Sequence, residues 1–184
     1  MKPENQNNGE LMSEKGYIHV YTGNGKGKTT AAFGLALRAA GAGMRVYIAQ
    51  FVKGMAYSET AAFARFDDLI TIEQFGRGCF IRNNPTQEDL AAARNGLEQT
   101  RMVIASCAWD VVILDEANIA VLFGLLAVED LINLIDIKPP SVELIITGRH
   151  ANQRVIERAD LVTEMREVKH YYSQGVQARI GIES

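Results

Sequence analysis

The sequence predicts an α/β fold, a mostly parallel β-sheet with helices on both faces. Three observations predict it. From Tyr17 onward, short runs rich in β-branched residues alternate with longer stretches at helical spacing. A glycine-rich turn joins the first of these runs to the first helical stretch. The 184 residues, 47% hydrophobic and 22% charged, are enough for one well-filled core and too few for two comfortable ones.

Residues 1–15, rich in Asn, Gln and Glu, have no periodicity. They are expected to be a flexible tail or a segment that covers a bound substrate, ahead of one domain over 16–184. Residues 17–22 (YIHVYT) read as a strand and 28–42, with spaced Ala, Leu and Phe, as a helix. A second strand is expected over 45–52, a short helix over 58–66 and a third strand over 70–75. A long helix over 86–106 opens with Glu88 and Asp89, where the helix dipole favours acids. Strands at 111–114, 143–147 and 161–164 follow, with a helix at 128–135 that stops before Pro139-Pro140. Strands separated by helices imply crossover connections and a parallel sheet, whose ligands bind beyond the carboxyl ends of the strands.

Lys+Arg 19 against Asp+Glu 22 leaves a net charge of −3, so no global basic field points to nucleic acid. The two cysteines, Cys79 and Cys107, form no CxxC and no metal-spaced cluster, which fits a reducing compartment. The polar N-terminus has no signal-peptide core, and no apolar run reaches the roughly 18 residues of a membrane span. A cytoplasmic location without membrane contact is expected.

Gly23-Asn24-Gly25-Lys26-Gly27-Lys28-Thr29-Thr30 sits between the first strand and the first helix. Glycines let its backbone N–H groups turn inward, and the helix N-terminus adds positive charge: together they make a phosphate cradle. Lys28 is placed to reach the phosphates as a point charge and Thr29 to offer its hydroxyl to a metal, which makes these two the catalytic candidates. The usual G-x-x-x-x-G-K-[ST] spacing would need Gly at position 22, where this chain has Thr22, so the loop is one residue shorter counted from Gly23. The pattern predicts a P-loop nucleotide-binding domain of RecA-like architecture that takes ATP.

Asp115-Glu116 closes the apolar run at 111–114. After a P-loop, such a pair is expected to hold Mg²⁺ or Mn²⁺ with Thr29; the alternative is an ordinary acidic helix start. Arg149, after the strand at 143–147, is a candidate phosphate clamp or a surface arginine, and Lys53 after the second strand is a similar candidate. The loop Phe75-Gly76-Arg77-Gly78-Cys79-Phe80-Ile81-Arg82 carries apolar residues between two arginines. It either lines a large apolar ligand or packs under the following helix. Cys79 has no His or acid near it in sequence to make it a nucleophile, and His170 reads as structural.

The segments VYTGNGKGKTTAAFGLALRAAG, QFVKG, VVILDE, IITGR, ADLVTEMREVKH and GVQARIGIE resemble the P-loop ATP:cob(I)alamin (corrinoid) adenosyltransferases over residues 17–183. The resemblance implies that Co(I) of a reduced corrinoid attacks C5′ of ATP and that triphosphate leaves whole, in adenosylcobalamin biosynthesis or salvage. It implies a divalent metal, a triphosphate gripped in reversed sense, a homodimer, a flavoprotein reductant and an N-terminal segment over the corrinoid. Phe51, Lys53, Cys79 and Phe80 are then expected at the corrinoid. Family members carry a Phe and a Trp in the loop after the third strand; here it reads Gly78-Cys79-Phe80-Ile81, with no Trp. A P-loop phosphotransferase or NTP hydrolase acting on a small molecule is the competing enzyme reading, and it would release ADP instead. A nucleotide-gated binding module is the non-enzymatic one.

Overall fold

The computed structural model of the chain describes residues 15–55, 57–78 and 84–183. Six parallel strands form one sheet: β1 Ile18–Thr22, β2 Val46–Phe51, β3 Ile70–Phe75, β4 Val111–Asp115, β5 Glu143–Thr147 and β6 Leu161–Glu164. Their spatial order is β3-β2-β4-β5-β1-β6, so β5 lies between the strand that feeds the phosphate loop and the strand that carries the acids. The intervening helices are α1 Lys28–Gly41, α2 Ser58–Phe63, α3 Gln87–Ala105, α4 Ala117–Leu122, α5 Val128–Ile137 and α6 Gln153–Arg158. The helix expected over 58–66 tightens into a 3₁₀ turn at Ala64–Phe66, and a second 3₁₀ turn, Tyr171–Gln174, follows β6. Helices α4 and α6 were not expected; at six residues each they are too short to show a hydrophobic period.

Strand parity builds two cores. Val46 and Ile48 of β2, Val111 and Ile113 of β4 and Ile145 of β5 face α1, where Ala32, Phe33, Ala36 and Ala40 meet them. The alternate residues Tyr47, Ala49 and Phe51, Val112 and Leu114, and Leu144 and Ile146 face the other way, onto α3 to α6. Ala at the buried positions of α1 lets that helix lie close to the sheet, which sets the phosphate loop directly above the strand ends. Helix α3 opens with a capping box: Thr86 Oγ1 accepts from Asp89 N at 3.2 Å, and Asp89 Oδ2 accepts from Thr86 N at 2.9 Å.

The same parity decides which polar residues reach the carboxyl ends on the α1 side. Gln50, Asp115 and Thr147 continue the series of Ile48, Ile113 and Ile145, and Gln50 stands opposite Asp115 in register. All three are fully buried.

Beyond β2 and β3 the chain makes a backbone-on-backbone contact. Gly54 N donates to Gly78 O at 3.0 Å. A Cβ on Gly54 would lie 2.2 Å from Gly76 O, and one on Gly76 would lie 2.5 Å from the Val52 carbonyl carbon. Only glycine permits this approach, and it ties the loop bearing Lys53 to the loop leading toward residues 79–83. Gly54→Ala is therefore expected to destabilise the protein by about 2–3 kcal/mol, because backbone cannot yield as a side chain can. Urea unfolding measures this, and a loss under about 0.5 kcal/mol would mean the two loops have room to part.

Candidate nucleotide site

The phosphate loop is held from outside by the chain that leaves β6. Met165 N donates to Thr22 O at 2.8 Å, and Gly25 N donates to Met165 O at 2.7 Å. A Cβ at Gly23 would fall 2.4 Å from Met165 O, and Gly23 and Gly27 have φ of 93° and 115°. These are backbone requirements of the loop, independent of any ligand. Helix α1 starts at Lys28 with no side-chain cap, so its first N–H groups have no side-chain acceptor at the N-cap.

The loop opens onto a cleft of about 920 Å³. Gly25 to Thr30 and Arg149 line it, as do Lys53 and Glu116. Gly23 and Asn24 do not; Asn24 is exposed on the loop's outer turn. Lys28 is buried and its Nζ donates to Gly25 O at 2.6 Å. Burial, and next the charge of Arg149, hold its pKa below the ordinary lysine value despite Glu116 and Asp115. Lys28 is thus an ammonium short of negative charge.

Asp115 lies beneath these groups with all its acceptors engaged. Oδ1 accepts from Thr29 Oγ1 and Thr147 Oγ1, each at 2.8 Å. Oδ2 accepts from Gln50 Nε2 at 3.1 Å and Lys53 Nζ at 2.9 Å. A carboxylate only accepts, so both threonine hydroxyls must donate to it, and Thr29 Oγ1 keeps its acceptor side for the Lys53 ammonium 3.4 Å away and for the cleft. Thr147 Oγ1 in turn accepts from Glu116 N at 3.0 Å, holding Glu116 at φ 58°. Burial first, then the neighbouring Asp115 charge, raise the Glu116 pKa.

Lys53 sits where a cation belongs, 2.9 Å from Asp115 Oδ2 and 3.4 Å from Thr29 Oγ1. Burial alone would lower its pKa, but the Asp115 charge and hydrogen bond outweigh burial and raise it. Val52 turns the chain toward this position with φ 65°, an outlying conformation for a β-branched residue. The oxygen set of Thr29, Asp115 and Glu116 suits a hard divalent cation, and the Lys53 ammonium marks a place that accepts positive charge. Among the described residues no three His, Cys, Asp or Glu side chains converge on a metal position. A metal here would lean on one or two acids, Thr29 and phosphate oxygens, as Mg²⁺ ordinarily does.

The other expected residues separate. Phe51 is fully enclosed on the opposite sheet face, 6.0 Å from Phe75 between ring centroids, and does not line the cleft. Its parity with Tyr47 and Ala49 requires this. Lys53 reaches the acid pair from the loop that Gly54 ties to β3's exit. Cys79 and Phe80 lie outside the described residues. The sequence reading misses Gln50 and the cleft residues Tyr57, Ile119 and Phe123, while His170, which it reads as structural, lines the cleft.

The family profile described as ATP:corrinoid adenosyltransferase BtuR/CobO/CobP matches residues 14–184. The chain is 38% identical over 175 residues to a corrinoid adenosyltransferase from Pseudomonas aeruginosa, covering 95% of this chain and 86% of that protein. It is 36% identical over 174 residues to one from Escherichia coli, covering 95% and 88%. A KaiC-like protein from Pyrococcus horikoshii superposes with a TM-score of 0.54 at 19% identity, covering 82% of this chain and 73% of that one. That likeness concerns the fold alone.

Lys53→Met tests the buried pair. Asp115 would keep three donors and lose its counter-charge, so the loss without divalent cations should be about 3 kcal/mol, the lower end for a broken buried pair. Urea unfolding in chelator measures it; a loss below about 1 kcal/mol would make Lys53–Asp115 equivalent to a surface pair.

Proposed function

The chain belongs to the ATP:corrinoid adenosyltransferase family BtuR/CobO/CobP, and from that membership we propose how its own residues carry the reaction. The enzyme transfers the adenosyl group of ATP to a corrinoid. The Co(I) of the reduced corrinoid attacks C5′ with its own electron pair, the C5′–O bond breaks, and its electrons leave with inorganic triphosphate. No proton moves in this step, so the protein needs no general base. It needs alignment of C5′ and stabilisation of the charge that grows on the leaving triphosphate.

What supports this reading most is the cation-rich cleft around Lys28. Arg149 lies near enough to disfavour the charge of Lys28, and the two acids do not offset it and the burial. A polyanion between them reverses that penalty. The triphosphate lies along residues 23–30, with Lys28 and Arg149 on its oxygens and the N–H groups at the start of α1 beneath it. Gly23 and Asn24 act by shaping the loop, as their position off the cleft wall suggests. Thr29 and Glu116 would hold Mg²⁺ or Mn²⁺, with Asp115 orienting the Thr29 hydroxyl. A divalent cation bound there neutralises charge on the triphosphate oxygens. Lys53 then exchanges its place beside Thr29 for one on a phosphate oxygen.

The corrinoid lies beyond the exit of β3, against the loop that contains Cys79 and Phe80. Residues 1–15 are the covering segment of this reading, of which 1–14 are outside the described residues. The homodimer, the flavoprotein reductant and the cytoplasmic location rest on the family membership. No helix among the described residues is long and apolar enough to cross a membrane.

The experiment is an anaerobic single turnover with ATP, chemically reduced corrinoid and a divalent cation, followed by product analysis. Triphosphate and adenosylcorrinoid are expected in equal amounts; ADP as the product would favour the phosphotransferase reading. In the same assay Lys28→Ala is expected to slow the step by about 10²–10³-fold, the usual cost of one lost electrostatic donor. A loss under about tenfold would remove Lys28 from the transition state.

A further inference from the structure

Residues 170–183 form a wall of the cleft: His170, Gly181, Ile182 and Glu183 face the phosphate loop. Little apolar burial holds this wall. Beyond β6 its regular structure among the described residues is the one 3₁₀ turn, and Ile180 is 91% exposed and Ile182 57%. Its backbone bonds are local, such as Gly175 N to Tyr172 O and Ile182 N to Arg179 O.

A compact charged cluster holds it instead. Lys26 Nζ donates to Glu183 Oε1 at 2.9 Å, Ile182 O at 2.9 Å and Tyr171 OH at 3.2 Å, which uses the three donors of an ammonium. Glu183 also accepts from the Tyr171 hydroxyl, from Arg179 N at 2.8 Å and from the Arg179 guanidinium at 3.2 and 3.3 Å. The Tyr171 ring lies 5.9 Å from Lys26 Nζ and 5.1 Å from Arg179 Cζ. The hydrogen bonds from Arg179, then Tyr171 and Lys26, hold the Glu183 carboxyl far below the usual range. Lys26 belongs to the phosphate loop, two residues before Lys28, yet its charge is spent on this wall.

We propose that Glu183 is a positioning residue for ATP: by engaging Lys26 it docks the 170–183 segment as a wall of the nucleotide cleft and keeps Lys26 off the triphosphate. The inference rests on the reading of the cleft as the ATP site. Docked, the wall confines bound ATP and makes the cleft's shape independent of Lys26. Undocked, the cleft is open on that side and Lys26 is a loose cation competing with Lys28 for phosphate oxygens.

The test uses Glu183→Gln, with Glu183→Asp as the conservative partner and Lys26→Gln as the other half of the contact. Two quantities are read: the rate of tryptic cleavage after Arg179 without nucleotide, followed by mass spectrometry, and the ATP KM against kcat. Glu183→Gln should speed that cleavage at least about tenfold, since it removes the charge that holds Lys26 and leaves the Lys26 ammonium only Ile182 O and the Tyr171 hydroxyl on this wall. It should raise the ATP KM at least about fivefold with a smaller change in kcat. Lys26→Gln should do the same, the double variant should add little to either, and Glu183→Asp should restore most of both readouts. Unchanged cleavage and KM in Glu183→Gln overturn the inference. Faster cleavage with an unchanged KM overturns the positioning role, and a raised KM with unchanged cleavage puts Glu183 on the nucleotide directly and overturns it too. Failure of the underlying reading looks different, because it would appear as Lys28→Ala retaining activity.

Discussion

A single buried carboxylate organises the upper edge of the sheet. Asp115 is fully enclosed and accepts from four side chains on α1, β5, β2 and the loop after β2. Left unpaired, a charge so placed would cost several kcal/mol, so these four partners are bound to it as firmly as it is to them. Through Thr29 it aims the first turn of α1. Through Thr147 it sets Glu116, whose left-handed backbone is one of two strained non-glycine positions at the site. The other, Val52, delivers Lys53 to the same carboxylate. Strain of this kind persists only where the surroundings over-determine it, and here Asp115's hydrogen bonds do so.

Two consequences reach the chemistry. The cleft is electrostatically unfinished around Lys28, whose charge burial and Arg149 oppose, and finished at Asp115, where Lys53 supplies the counter-charge. On the reading proposed above, MgATP supplies the anion that Lys28 lacks and a cation that replaces Lys53 beside Thr29. The Gly54–Gly76 contact joins the Lys53 loop to the exit of β3. Any shift of Lys53 is therefore felt where the chain leaves β3 toward residues 79–83.

Much of this was legible in the sequence because it is local. Gly23 to Thr30 between a strand and a helix, and Asp115-Glu116 at the end of an apolar run, carry their meaning in spacing. β3 and β5 begin and end where the pattern put them, and Pro139-Pro140 marks the end of α5 to within two residues. Phe51 is expected at the corrinoid from the resemblance alone, and because β2 is buried along its whole length no polar alternation shows which face each of its residues takes. Lys53 reads both as a phosphate clamp and as a corrinoid residue, and not as the partner of Asp115, because that partner is 62 positions away. The Lys26–Glu183 contact spans 157 positions and has no local signature at all. Short helices such as α4 and α6 owe their existence to tertiary packing, which propensity does not record.

The most direct measurement is the stability of Asp115→Asn with and without MgATP. Asparagine keeps the shape but offers an amide N–H₂ to side chains that are themselves donors, and removes the charge that retains Lys53. If Asp115 organises the site, the variant should lose about 3–5 kcal/mol in urea unfolding, and MgATP, expected to raise the unfolding midpoint of the unaltered protein, should no longer raise that of the variant. A variant that unfolds within about 0.5 kcal/mol of the original, with the same MgATP-induced shift, would contradict the account.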